Sequence, residues 1–141
     1  MDPFNSQEEE RIMHAINMAE NRTSGEIRIC IEKKCKDDVI KQATKRFAEL
    51  GMQKTTLKNG VLIFLAIEDH KFAIIGDEGI NQKVPENFWQ ETKDLMADFF
   101  KTGQFVDGLI AGIDRAGRQL KTFFPRSDDD INELPNEVVY F

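Results

Sequence analysis

The sequence predicts a single α/β domain with a mixed central sheet and helices on both faces. Three observations carry this. The run Val61-Leu62-Ile63-Phe64-Leu65-Ala66-Ile67 is apolar on both sides of a strand, so it needs cover from both faces. An alternating strand at 26–33 and a helical stretch precede it, which makes a parallel crossover unit. A short link follows it, so strands 60–67 and 72–75 pair as an antiparallel hairpin.

The elements follow in chain order. Ser6-x-x-Glu9 reads as a capping box for a helix over 7–21, with Ile12, Ala15, Ile16 and Ala19 on one stripe. Thr23-Ser24-Gly25 ends it. In the first strand Ile27, Ile29 and Ile31 form one buried face, and Glu26, Arg28, Cys30 and Glu32 the other face. A second helix over 36–50 carries Val39, Ala43, Phe47 and Leu50, and Gly51 suits its C-terminal cap. After the hairpin, Pro85 opens a helix over 86–101 striped by Phe88, Thr92, Leu95 and Phe99. Thr102-Gly103 breaks the chain. A last helix over 105–124 buries Phe105, Leu109, Ile113, Leu120 and Phe124, and Pro125 stops it. Gly108 and Gly112 lie one turn apart and leave room for a close neighbour. Trp89 reads as core.

The 141 residues suit one domain, expected over 1–125, with an acidic tail over 126–141. Residues 1–125 hold 18 bases and 20 acids, whereas 128–137 hold five acids and no base. The tail ends in Val138-Val139-Tyr140-Phe141, expected to pair with a sheet edge or cover an apolar groove. A net charge of −6 disfavours nucleic acid and anionic membranes as partners. No stretch is apolar for long enough to insert in a membrane, and no signal-peptide pattern opens the chain. Two cysteines cannot make a disulfide framework, and a reducing, cytoplasmic location is the expectation.

The crossover sorts the loops into two ends. One end gathers Ser24-Gly25-Glu26, Lys58-Asn59-Gly60 and Gly76-Asp77-Glu78-Gly79. Carboxylates of Glu26, Asp77 and Glu78 on tight glycine turns could hold a hard cation, calcium or magnesium, through oxygen ligands. Such a cation could polarise a phosphoryl oxygen or activate a water. The plain alternative is that the glycines serve the turns and the acids are solvated. The opposite end carries Asp37, Asp38, Glu68, Asp69 and His70, of which Asp37 and Asp38 also suit the start of the second helix. Several signatures are missing. Gly76-x-x-Gly79 lacks the lysine and hydroxyl of a P-loop. Asp128-x-Asp130-x-Asn132 starts like a calcium loop but has Glu133 where glycine is needed. Neither Cys30 nor Cys35 has an evident base, and no nucleophile–base pair is readable.

The ordered set of motifs resembles the TPM domain. It comprises Ser24-Gly25-Glu26-Ile27, then Lys58-Asn59-Gly60-Val61-Leu62, then Asp69-x-Lys71-x-Ala73-Ile74-x-Gly76-x-x-Gly79, and finally 100–109 followed by Gly112. The match spans about 6–124. The resemblance implies a three-layer α/β/α sandwich and no single settled activity. Plant thylakoid members are associated with photosystem II repair and described as acid phosphatases. An animal member is an accessory protein of acetylcholine receptors, and some bacterial members are linked with LemA-like membrane proteins. The resemblance also implies divalent-cation binding, which maps onto Glu26, Asp77 and Glu78, with Asp69 as a lesser candidate. Two function classes follow: a cation-binding interaction module with a protein partner, or a weak metal-dependent phosphatase.

Overall fold

The computed structural model describes residues 3–126, 134 and 136–141. The acidic run around Asp128 and the calcium-loop-like spacing lie outside the described residues. The elements are α1 (Ser6–Glu20), β1 (Glu26–Glu32), α2 (Val39–Glu49), a 3-10 turn (Met52–Lys54), β2 (Gly60–Ala66), β3 (Lys71–Gly76), α3 (Glu78–Asn81), α4 (Gln90–Lys101), α5 (Phe105–Phe123) and β4 (Val138–Tyr140). The sheet order is β3-β2-β1-β4. β1 runs parallel to β2 and to β4, and β2 pairs antiparallel with β3.

The two faces of this sheet are covered by different helices, as an apolar central strand requires. Ile27, Ile29, Ile31, Ile63 and Leu65 pack against Ile12 and Ile16 of α1, Met96 and Phe100 of α4, and Leu109 and Ile113 of α5. Cys30, Leu62, Phe64 and Ala66 pack against Ala43 and Phe47 of α2. Gly108 and Gly112 let α4 lie directly on α5: a Cβ at either position would overlap Phe100 or Met96. Gly117 does the same for α1, since a Cβ there would overlap Ala19.

Four details differ from expectation. The capping box sits one residue earlier: the Glu8 amide donates to Asn5 Oδ1 at 2.8 Å, and the Asn5 amide donates to Glu8 Oε1 at 2.9 Å. Starting there buries Phe4. Helix α2 begins later, because Asp38 caps the amides of Ile40 and Lys41. Helix α4 begins at Gln90, after a turn over 86–89. Finally, β1 is buried on both faces. Its charged face is sealed by distant partners: Arg46 Nε donates to Glu32 at 3.0 Å, and the Leu134 amide donates to Glu26 at 2.6 Å.

β4 continues this cover. Val138, Val139 and Tyr140 pair with Ile29, Cys30 and Ile31, and the Phe141 amide donates to Ile31 O at 3.0 Å. The Arg46 guanidinium lies 4.1 Å from the Phe141 ring centre. Gly51 takes a left-handed φ of 70° just past α2, as a helix-ending glycine does. Among the described residues, no helix is long and apolar enough to cross a membrane.

Candidate functional site

The topology brings the starts of β1 and β2 and the finish of β3 to one end of the sheet. Backbone bonds stitch the three turns. The Glu26 amide donates to Asn59 O at 3.2 Å, and the Asp77 amide donates to Gly60 O at 3.0 Å. The buried Asn59 amide donates to Ser24 Oγ at 3.3 Å. Lys58 takes a left-handed φ of 53°, which turns the chain sharply into Asn59.

Asp77 ends β3 and caps α3. Its Oδ1 accepts from the Glu78 amide at 2.7 Å. Its Oδ2 is buried and has no hydrogen-bond partner among the described residues. A buried carboxylate oxygen without a donor is costly, and a cation is one of the few groups that relieves it. Oxygen crowds this turn from the other side as well. A Cβ on Gly79 would collide with the carbonyl oxygens of Leu57 and Lys58, so only glycine lets α3 approach that loop. Glu78 is exposed beside it. The available donors around the turn are therefore carboxylate and carbonyl oxygens, the chemistry a hard divalent ion prefers.

Glu26 and Asp69 are placed differently. Glu26 stands at the same end but is buried, bonded to Leu134. Asp69 stands at the opposite end, where its Oδ2 accepts from the Cys35 amide at 2.6 Å. Among the described residues, no group of three or more His, Cys, Asp or Glu side chains is arranged to hold a metal ion.

Glu20 was not singled out from the sequence. It is buried in the last turn of α1, and its Oε2 accepts from the Ile27 amide at 3.0 Å. Burial pushes its carboxyl up to about 7, helped by repulsion from Glu26 and opposed by the Ile27 bond, Asn136 and Arg126. The signal was present: Ile12, Ile16 and Glu20 follow one another at four-residue spacing, so a carboxylate occupies the apolar stripe.

Several nucleophile candidates are occupied or suppressed, whereas the buried Thr55 Oγ1 has no hydrogen-bond partner among the described residues. Both cysteines are free and buried. Burial pushes the Cys30 thiol up to about 12, and raises Cys35 as well. The hydroxyls of Thr23, Thr44 and Thr102 donate to backbone carbonyls. His70 has a φ of 53° and its ring lies 6.0 Å from Phe105. His14 lines a groove of about 640 Å³ between α1 and α5, whose floor includes Met18 and Ile110. The pairs Arg11–Asp107 at 2.8 Å and Arg22–Asp114 at 3.0 Å flank it.

Comparison with known proteins bears on this arrangement. The family described as the TPM domain matches residues 2–119. The NMR structure of BA42 protein from the psychrophilic bacterium Bizionia argentinensis is 44% identical, with a TM-score of 0.94 over 99% of this chain and 97% of that one. The N-terminal domain of cg2496 protein from Corynebacterium glutamicum has a TM-score of 0.65 at 10% identity, covering 97% of this chain and 80% of that one. The N-terminal domain of a protein from P. gingivalis has a TM-score of 0.70 at 16% identity, covering 86% and 78%. These last two show a shared fold alone. No curated protein matches the sequence.

Proposed function

Since the chain belongs to the TPM-domain family, we propose that it is a divalent-cation-binding interaction module, with calcium or magnesium held at the Asp77 turn. The observation that carries the reading is the buried Oδ2 of Asp77, which has no hydrogen-bond partner among the described residues. Glu78 and the carbonyls of Leu57 and Lys58 would complete an oxygen donor set, with water filling the remaining positions. Glu26 would support the turn through β1, and Asp69 would take no part. A non-catalytic role is favoured because the thiols are pushed towards their protonated form and the hydroxyls of Thr23 and Thr44 already donate to backbone carbonyls. The cation would stiffen the three turns and present them to a protein partner.

Titration with calcium and magnesium, followed by amide NMR, tests this. The expected shifts fall in 57–60 and 76–81 at millimolar cation or below, and vanish in Asp77→Asn. Residues 35–38 and 68–70 stay still. An unmoved spectrum with both ions at about 10 mM, roughly tenfold above the dissociation constants of the weakest extracellular sites, ends the reading. Cation-dependent hydrolysis of a simple phosphate ester, lost in Asp77→Ala with Glu78→Ala, would favour a phosphatase instead.

A further inference from the structure

The groove between α1 and α5 stands apart from the Asp77 turn, and its two ends differ in charge. Its volume is about 640 Å³, within the roughly 300–1,000 Å³ usual for small-molecule sites. Ala15 and Met18 of α1, Ile110 and Ala111 of α5, and Phe99 of α4 line it with apolar surface. Arg11, Ala15 and Met18 recur at three- and four-residue spacing on one face of α1, and Arg22 follows just past its end. Asp107, Ala111, Asp114 and Arg118 repeat that spacing on α5. Alanine on both helices leaves the space, and Met18 is 44% exposed beside it.

The charges at the ends are set by specific pairs. At one end Arg11 and Asp107 pair one to one at 2.8 Å. At the other, Asp114 is shared. Its Oδ1 accepts from Arg22 Nη1 at 3.0 Å, and its Oδ2 accepts from Arg118 Nε at 3.0 Å. Two guanidiniums on one carboxylate leave that end positive, and Asp114 is the only carboxylate paired with either among the described residues. Each arginine gives Asp114 one of its N–H donors and keeps others for a second anion. The described part of the tail lies elsewhere. Asn136 meets Asn17, roughly 130° around α1 from the groove stripe, and Glu137 acts on Arg28 of β1.

We propose that this groove binds a single-chain amphiphile with a carboxylate head. The head meets Arg22 and Arg118, whose planar guanidiniums match a carboxylate. The alkyl chain lies over Met18, Ile110 and the two alanines, towards Arg11. Asp107 and Asp114 stand seven residues apart on α5, roughly 10 Å, which suits a chain of about eight to ten carbons. The site needs no bound cation.

Titration of the intact, isotopically labelled chain with sodium decanoate in EDTA, followed by amide NMR, tests this. Saturable shifts are expected at 11–18, 22, 107–111 and 114–118, while 57–60 and 76–81 stay still. A fully buried methylene changes affinity by about fourfold, so hexanoate binds at least about tenfold more weakly than decanoate. Decanol, which has the chain without the charge, is also weaker by at least about tenfold. Arg118 has a side chain 64% exposed, so the fold tolerates its replacement. Arg118→Glu lowers decanoate affinity by at least about tenfold, whereas Lys45→Glu, the same charge change on α2, leaves it within about twofold. Absence of saturable shifts at roughly 10 mM decanoate, where even a millimolar site is filled, overturns the proposal. So does equal affinity for decanol, an equal loss in both variants, or tighter binding of an amidated amphipathic helical peptide than of decanoate.

Discussion

Replacing Glu20 with glutamine should stabilise the protein at high pH and do little at low pH. Glu20 is 6% exposed, and its carboxyl rises from 4.5 to about 7, chiefly through burial. The folded state therefore binds the Glu20 proton more tightly than the unfolded state does. Below pH 4.5 both states hold the proton, and stability is unaffected by this group. Between pH 4.5 and 7 the unfolded chain releases it first, so stability falls as pH rises. Above pH 7 the loss is complete. A difference of about 2.5 units corresponds to about 3 kcal/mol. Glutamine keeps an acceptor for the Ile27 amide and removes the charge, so Glu20→Gln should recover most of that at pH 8 and almost none at pH 4. For a chain of this size 3 kcal/mol is about 10 °C in Tm. Urea melts of both proteins from pH 4 to 8, read by the single tryptophan, isolate the group, because titrations not coupled to Glu20 cancel in the difference. A difference that stays flat with pH, or a variant destabilised at both ends, would refute the reasoning.

Arg46→Met should cost about 3–5 kcal/mol, because it leaves the buried Glu32 carboxylate without its guanidinium; denaturant melts read it, and Glu32→Gln on the same background should restore part of the loss. Gly112→Val should cost at least about 1–3 kcal/mol by forcing α4 away from α5 at Met96, measured as a lowered urea midpoint with an unchanged slope. Ending the chain after Arg126 should lower Tm by several degrees while far-UV circular dichroism stays native-like, since β1 loses Leu134, Val138 and Tyr140 but keeps β2.

The parts of the fold that came from local pattern were readable. The apolar run in β2, the brief link to β3 and the glycine breaks after α2 and α4 each follow from neighbouring residues. Asp77 and Glu78 were readable for the same reason, lying side by side at the end of a strand. The burial of β1's charged face was not, because its partners arrive from elsewhere: Arg46 from α2, and Leu134 across a separation of 108 residues. Alternation marks Glu26 and Glu32 as polar positions, and only the tertiary partners turn them inward. Glu26 therefore looked like a free ligand in the sequence, and Glu20, whose place on the α1 stripe was visible, was passed over.

The pairing of β4 with β1 sets an order on biogenesis. A chain made from its N-terminus completes β1 long before Leu134, 108 residues after Glu26, has been added. At about 5–20 residues per second, that interval is about 5–20 s. Once β2 has followed, β1 can pair with it but still presents its other margin to the surroundings, with the rim of backbone amides and carbonyls that recruits foreign strands. That margin of the nascent domain thus stays open to misassembly until the chain is nearly finished, and a chaperone acting on it would have its longest opportunity there.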